Sequence, residues 1–119
     1  MKSARFLLAA LAATASFAAH PHAFLDHAEP KVGSVVSAAP AELRIWFTQE
    51  LEPAFSRAEV VDANGRRVDR GQSGIDRKER TLLHVPLDKL GPGTYTVNWR
   101  AVSVDTHVAQ GHFTFRVAP

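Results

Sequence analysis

A period of two is the strongest constraint on how this chain can fold. Leu43, Ile45 and Phe47 alternate with Arg44, Trp46 and Thr48, and Phe113, Phe115 and Val117 alternate with His112, Thr114 and Arg116. A strand sends successive side chains to opposite faces, so each run reads as a strand with one face buried and one facing water. Turn formers stand between such runs. Pro40 and Pro53 bound the first, Asn64-Gly65 follows Arg57 to Asp62 as a hairpin signal, and Gly91-Pro92-Gly93 launches Thr94 to Arg100. Thr81 to Val85, β-branched and aliphatic before Pro86, adds another strand. Only a single turn near Asp88 to Leu90 has helical character, and Asp69 to Glu79, rich in Gly, Ser and charge, reads as a solvated loop. Short strands at this spacing predict an all-β domain, a Greek-key antiparallel β-sandwich of two sheets.

The first residues carry an address rather than a fold. Lys2 and Arg5 precede an apolar, alanine-rich stretch from Phe6 to Phe17 that has no polar face and is too short to span a bilayer. That pattern predicts a secretory signal peptide over residues 1–19, with the boundary between 18 and 21, and a mature domain over 20–119. Cleavage after Ala19 gives a His20-Pro21-His22 start, whereas cleavage after Ala18 uses Ser16 and Ala18 as the small residues the peptidase prefers. Neither start places His22 first.

Losing Lys2 and Arg5 leaves twelve basic against twelve acidic residues, so the mature domain has no formal charge. With no Lys/Arg-dense stripe to neutralise phosphates, nucleic-acid binding is not expected. The chain has no cysteine, which removes both a disulfide framework and a thiolate metal site, and with it blue-copper chemistry. One domain of about 100 residues, held by packing alone, remains.

Metal chemistry enters with the tail. Asp105 stands two residues before His107, a spacing at which both can point to one side of a locally extended backbone. Three more histidines, His20, His22 and His27, cluster where the leader ends. Together the two groups suggest a three-point metal site, drawn from positions 83 residues apart between His22 and Asp105, which would close a long loop on binding.

The run His22-Ala-Phe-Leu-Asp-His-Ala-Glu-Pro30, then Gly33-Ser34, the stretch from Gly93 through Trp99-Arg-Ala-Val-Ser-Val-Asp-Thr-His107, and Gly111-His-Phe-Thr-Phe115 resemble the CopC family of periplasmic copper-binding proteins. The resemblance covers the whole mature chain and is most specific in its closing Asp-x-His motif. It implies a cupredoxin-like or immunoglobulin-like barrel of about seven strands. It also implies Cu(II) bound by an N-terminal histidine with the motif's Asp and His, here His22, Asp105 and His107. Two imidazoles, a carboxylate and a terminal amine suit the tetragonal preference of Cu(II). Two positions depart from the pattern. Pro21 precedes the histidine that many members use as their first residue, which makes His20 the alternative terminal ligand. Gln49 stands where some members carry an acid. The Met-rich Cu(I) segment of other members is absent, since Met1 is the sole methionine, so the reading is of Cu(II) alone.

The resemblance implies a periplasmic copper carrier or buffer in copper resistance and homeostasis, not an enzyme, delivering copper to a CopD-like inner-membrane protein. Two other classes compete: a histidine-brace copper oxidase, which would need a substrate platform, and an immunoglobulin-like interaction module whose histidines are incidental. A monomer is expected. His27 is expected near the site without ligating, His84 as an exposed strand residue and His112 on a face that could adjoin the metal. Trp46 and Trp99 are expected as packing residues.

Overall fold

A computed structural model describes residues 24–119, and within them every regular element is a strand. The strands are β1 (Leu25–Glu29), β2 (Val35–Val36), β3 (Glu42–Phe47), β4 (Arg57–Val61), β5 (Gly74–Ile75), β6 (Leu82–Pro86), β7 (Gly93–Val102) and β8 (Val108–Val117). They form two four-stranded sheets, ordered β1-β3-β6-β5 and β2-β8-β7-β4. Only β5–β6 and β7–β8 connect neighbours within one sheet, and every other connection crosses the sandwich. Crossing at nearly every turn weaves the two layers into one core.

The period-two runs set the faces. Leu43, Ile45 and Phe47 of β3 point inward with Val60, Leu83, Val85, Val97 and Phe115, all buried, while Arg44, Asn98, His112 and Arg116 face water. Tyr95 stacks on Phe115 with ring centroids 5.5 Å apart and donates its hydroxyl to the Gly91 carbonyl at 2.6 Å, which pins the β6–β7 connection to the core. At the other end, Phe47 meets Phe24 and Trp99 edge-on at 5.7 and 5.3 Å. Edge-to-face contact suits the ring quadrupoles.

The expected β-sandwich is present, with eight strands where about seven were expected, because β2 and β5 are two residues each, too short to show alternation. Three expectations are corrected. β2 runs parallel to β8, pairing Val35 with Arg116 and Val36 with Val117, so one sheet is mixed rather than antiparallel. Asp88 to Leu90 is irregular, with no helical turn. The stretch from Asp69 to Glu79 is not simply a solvated loop: Asp69 is buried, and Gly74 and Ile75 pair with His84 and Leu83 of β6. The buried Asp69 carboxylate organises that stretch, taking hydrogen bonds from the Val60 and Gly71 amides and from Nε and Nη2 of Arg67.

Candidate metal centre

β7 and β8 pair along ten residues, and the last pair is Val102 with Val108. The five residues between them, Ser103 to His107, close the hairpin at one pole of the sandwich. Ser103, fully buried, organises the turn. Its amide donates to the His107 carbonyl at 2.9 Å, its hydroxyl oxygen accepts the His107 amide at 3.1 Å, and its carbonyl accepts the Thr106 amide at 2.8 Å. The same hydroxyl donates to Asp105 Oδ1 in a short hydrogen bond.

This geometry brings Asp105 and His107 together by a route the spacing did not foresee. The backbone is not extended here: Thr106 adopts φ +70°, a left-handed conformation rare for a β-branched residue, and folds the loop back on itself. His107 Nδ1 lies 3.3 Å from Asp105 Oδ1, with the side chains 74% and 58% exposed. Donors sharing one metal through bonds of about 2 Å sit about 3 Å apart when adjacent, so the pair already has the separation of two ligands. The Ser103 hydroxyl, and to a smaller extent the neighbouring His107, hold the Asp105 carboxyl below its ordinary value. Asp105 is therefore a ready carboxylate at neutral pH.

The distant partner lies outside the described residues: His20 and His22 both precede Phe24. The point where that segment joins the domain is nonetheless fixed. Phe24 is buried against Phe47, and its carbonyl accepts the Thr48 amide at 3.0 Å. Two residues on, the Glu50 carbonyl accepts the Val104 amide at 3.0 Å, and Leu51 bridges to Ser103. Residues 48–51 thus link the start of β1 to the Asp105–His107 loop, with exposed Gln49 in the middle. Among the described residues no group of three His, Cys, Asp or Glu could hold a metal ion, so Asp105 and His107 stand here as two candidate donors without a third beside them.

The remaining histidines have other partners. His27, on the outer face of β1, stacks on Trp46 at 4.4 Å and contacts Asp26 at 2.8 Å. Trp46 is therefore a half-buried surface partner, its ring N–H donated to Glu79, while Trp99 is in the core. His84 is half-buried rather than exposed, with Nε2 2.9 Å from Asp76 and Nδ1 3.2 Å from Glu42. Those carboxylates lie on opposite sides of one ring, an ion-pair bridge rather than a chelate. His112 pairs with Asn98, five residues along the chain from His107 and roughly 17 Å away at strand rise. The residue that sequence reasoning left unnamed is Ser103.

Comparison with known proteins settles the ancestry. The model of the CopC domain matches residues 25–118. The chain belongs to the CopC family. The chain is 38% identical to Protein YobA of Escherichia coli K12 over 120 residues, covering 98% of this chain and 95% of that one. It is 32% identical to the copper transport protein CutJ of Bacillus subtilis over 97 residues, which are 81% of this chain and 18% of the longer protein. Among solved structures, PcoC, a methionine-rich copper resistance protein from Escherichia coli, superposes with a TM-score of 0.70 at 30% identity, covering 79% of this chain and 96% of that one. CopC proteins bind copper and act in resistance to it rather than as enzymes, and the function of this chain is accordingly copper-related.

Proposed function

We propose that this CopC protein is an exported Cu(II) carrier or buffer of the periplasm, with Asp105 and His107 as two ligands and an N-terminal histidine, His22 or His20, as the third. The observation that carries the reading is the Ser103-anchored Asp105–His107 pair, preset at ligand separation and exposed at one pole. The entry of the chain at Phe24, joined to that loop through residues 48–51, supports an N-terminal ligand. The donor set of imidazole and carboxylate suits Cu(II), and with Met1 as the sole methionine no thioether site for Cu(I) exists, in contrast to the methionine-rich PcoC.

His20 and His22 offer two versions of the third ligand. A chain starting at His20 presents its own amine and imidazole, while Pro21, lacking an amide proton, prevents chelation through the following peptide nitrogen. A chain trimmed to His22 presents the amine and imidazole of that residue instead. Delivery to a CopD-like inner-membrane protein is the corresponding partner role. It is supported by the match to a segment making up 18% of a much longer copper transport protein.

The test is Cu(II) titration of the exported mature protein, its first residue read by intact mass, with paramagnetic resonance spectra of the complex. Asp105→Ala and His107→Ala should each weaken binding roughly 100-fold or more and alter the spectrum. His84→Ala should change neither. Unaltered spectra in the first two variants would remove them as ligands.

A further inference from the structure

The outer face of the β2-β8-β7-β4 sheet carries a second polar constellation, independent of the metal pole. Register places Arg57 of β4 directly opposite Arg100 of β7, and Arg100 opposite Gln110 of β8. One pleat along the same face, Glu59, Asn98 and His112 form the next row. A groove of about 580 Å³ runs over both rows, walled on the β4 side by Gly71 and Ser73. Such a volume falls within the range of small-molecule sites.

The charges in this groove do not balance. Arg67 is matched by Asp69 at 2.7 Å and Glu59 at 3.3 Å. Arg57 and Arg100 have no carboxylate within ion-pair distance among the described residues, and residues 1–23 contain no Asp or Glu that could supply one. Like charges directly opposite on neighbouring strands destabilise a sheet, so an uncompensated Arg–Arg pair is a feature with a cost. The wall is fixed by buried chemistry: the Asp69 side chain, 1% exposed, ties the Gly71 amide and Arg67 in place, and Ser73 Oγ accepts the Ala58 amide. Asp69 and Glu59 thus engage Arg67 and leave the other two guanidinium groups available.

We infer that this groove binds a small organic oxyanion, a polycarboxylate or phosphate ester, gripped between Arg57 and Arg100 with Gln110, Asn98 and His112 as further polar contacts. Planar guanidinium forks match carboxylate and phosphate oxygens two at a time, and an anion between the two arginines turns their repulsion into attraction. The groove is larger than a bare inorganic anion requires, which points to the organic class.

The experiment uses metal-free mature protein, so that chelation of copper by the probe plays no part. Citrate and glycerol phosphate are titrated separately while backbone amide shifts and thermal unfolding are followed, with chloride at matched ionic strength as reference. Saturable shifts confined to residues 57–59, 98–100 and 110–112, with a rise in unfolding temperature that chloride does not reproduce, are expected. The stronger of the two probes identifies which oxyanion the groove prefers. Arg57→Gln and Arg100→Gln should each weaken binding at least tenfold while holding or raising the unfolding temperature without anion, since each relieves the like-charge pair. Arg116→Gln, on the same sheet face opposite Thr94, should leave binding intact. No saturable shift with either probe, an equal effect from chloride, or the same loss in Arg116→Gln would overturn the inference.

Discussion

At the scale of single residues, the proposed metal pole rests on a hydroxyl. Ser103 Oγ contacts Asp105 and the His107 amide at once, so Ser103→Ala releases the carboxylate and leaves a part-buried amide without its acceptor. Such supporting partners typically contribute a factor of 10–100 in metal affinity, and Cu(II) titration of Ser103→Ala should show a loss of about that size. The orphaned amide should also lower stability by roughly 1–3 kcal/mol in urea unfolding. Thr106 poses the opposite case. Its φ of +70° costs about 1 kcal/mol or more for a β-branched side chain, whereas Asn tolerates that region. Thr106→Asn should therefore raise the unfolding temperature of the metal-free protein. A fall would mean that the hydrogen bond from the Thr106 hydroxyl to the Asp105 carbonyl outweighs the backbone strain.

Among the elements, the long strands were legible and the short ones were not. β3 and β7 carry their alternation in the sequence, as do β4 and the last six residues of β8, because one face is core and the other water. β2 and β5 have two residues each, and β1 reads Leu-Asp-His-Ala-Glu with a register irregularity between Leu25 and His27 that breaks its pattern. The start of β8, Val108 to Gly111, went unread because its inward positions, Ala109 and Gly111, are small. The site divided in the same way: Asp105 and His107 were visible as a motif, while the turn that joins them depends on a backbone conformation no composition announces. Asp69 shows how a connection can hold an element. Burial raises its carboxyl, but hydrogen bonds from Arg67, Val60 and Gly71 outweigh burial and hold it below its ordinary value. With the folded value below the unfolded one, this stabilisation is complete above the unfolded value and is lost as pH falls toward the folded one. Asp69→Asn should cost about 2 kcal/mol at neutral pH. The gap to the parent should narrow as pH drops from about 5 to about 3, and a gap constant with pH in urea melts would contradict this account.

On the scale of the whole molecule, copper is expected to join the two ends of the chain. A ligand that binds only the folded state adds about 2.7 kcal/mol of stability at a hundred times its Kd, which for a domain of this size raises the unfolding temperature by roughly 10 °C or more. The mature protein should show that rise with Cu(II). A chain starting at Phe24 should fold with its core intact, since Phe24 is the first core residue described, yet gain much less from Cu(II). Equal gains in both chains would place the third ligand within residues 24–119. The β7–β8 hairpin has a further consequence. Val102 and Val108 pair at the metal pole and Gly93 and Val117 at the opposite one, roughly 30 Å away along ten residues of strand. Anything tethered after Pro119, whether a tag, a bead or a neighbouring domain, leaves from the pole farthest from Asp105 and His107. A graft before Phe24 leaves instead from a residue bonded to Thr48, at the start of the stretch that reaches the loop. Immobilised through its C-terminal end, the domain would present its copper pole outward, the orientation in which transfer to a second surface can be measured.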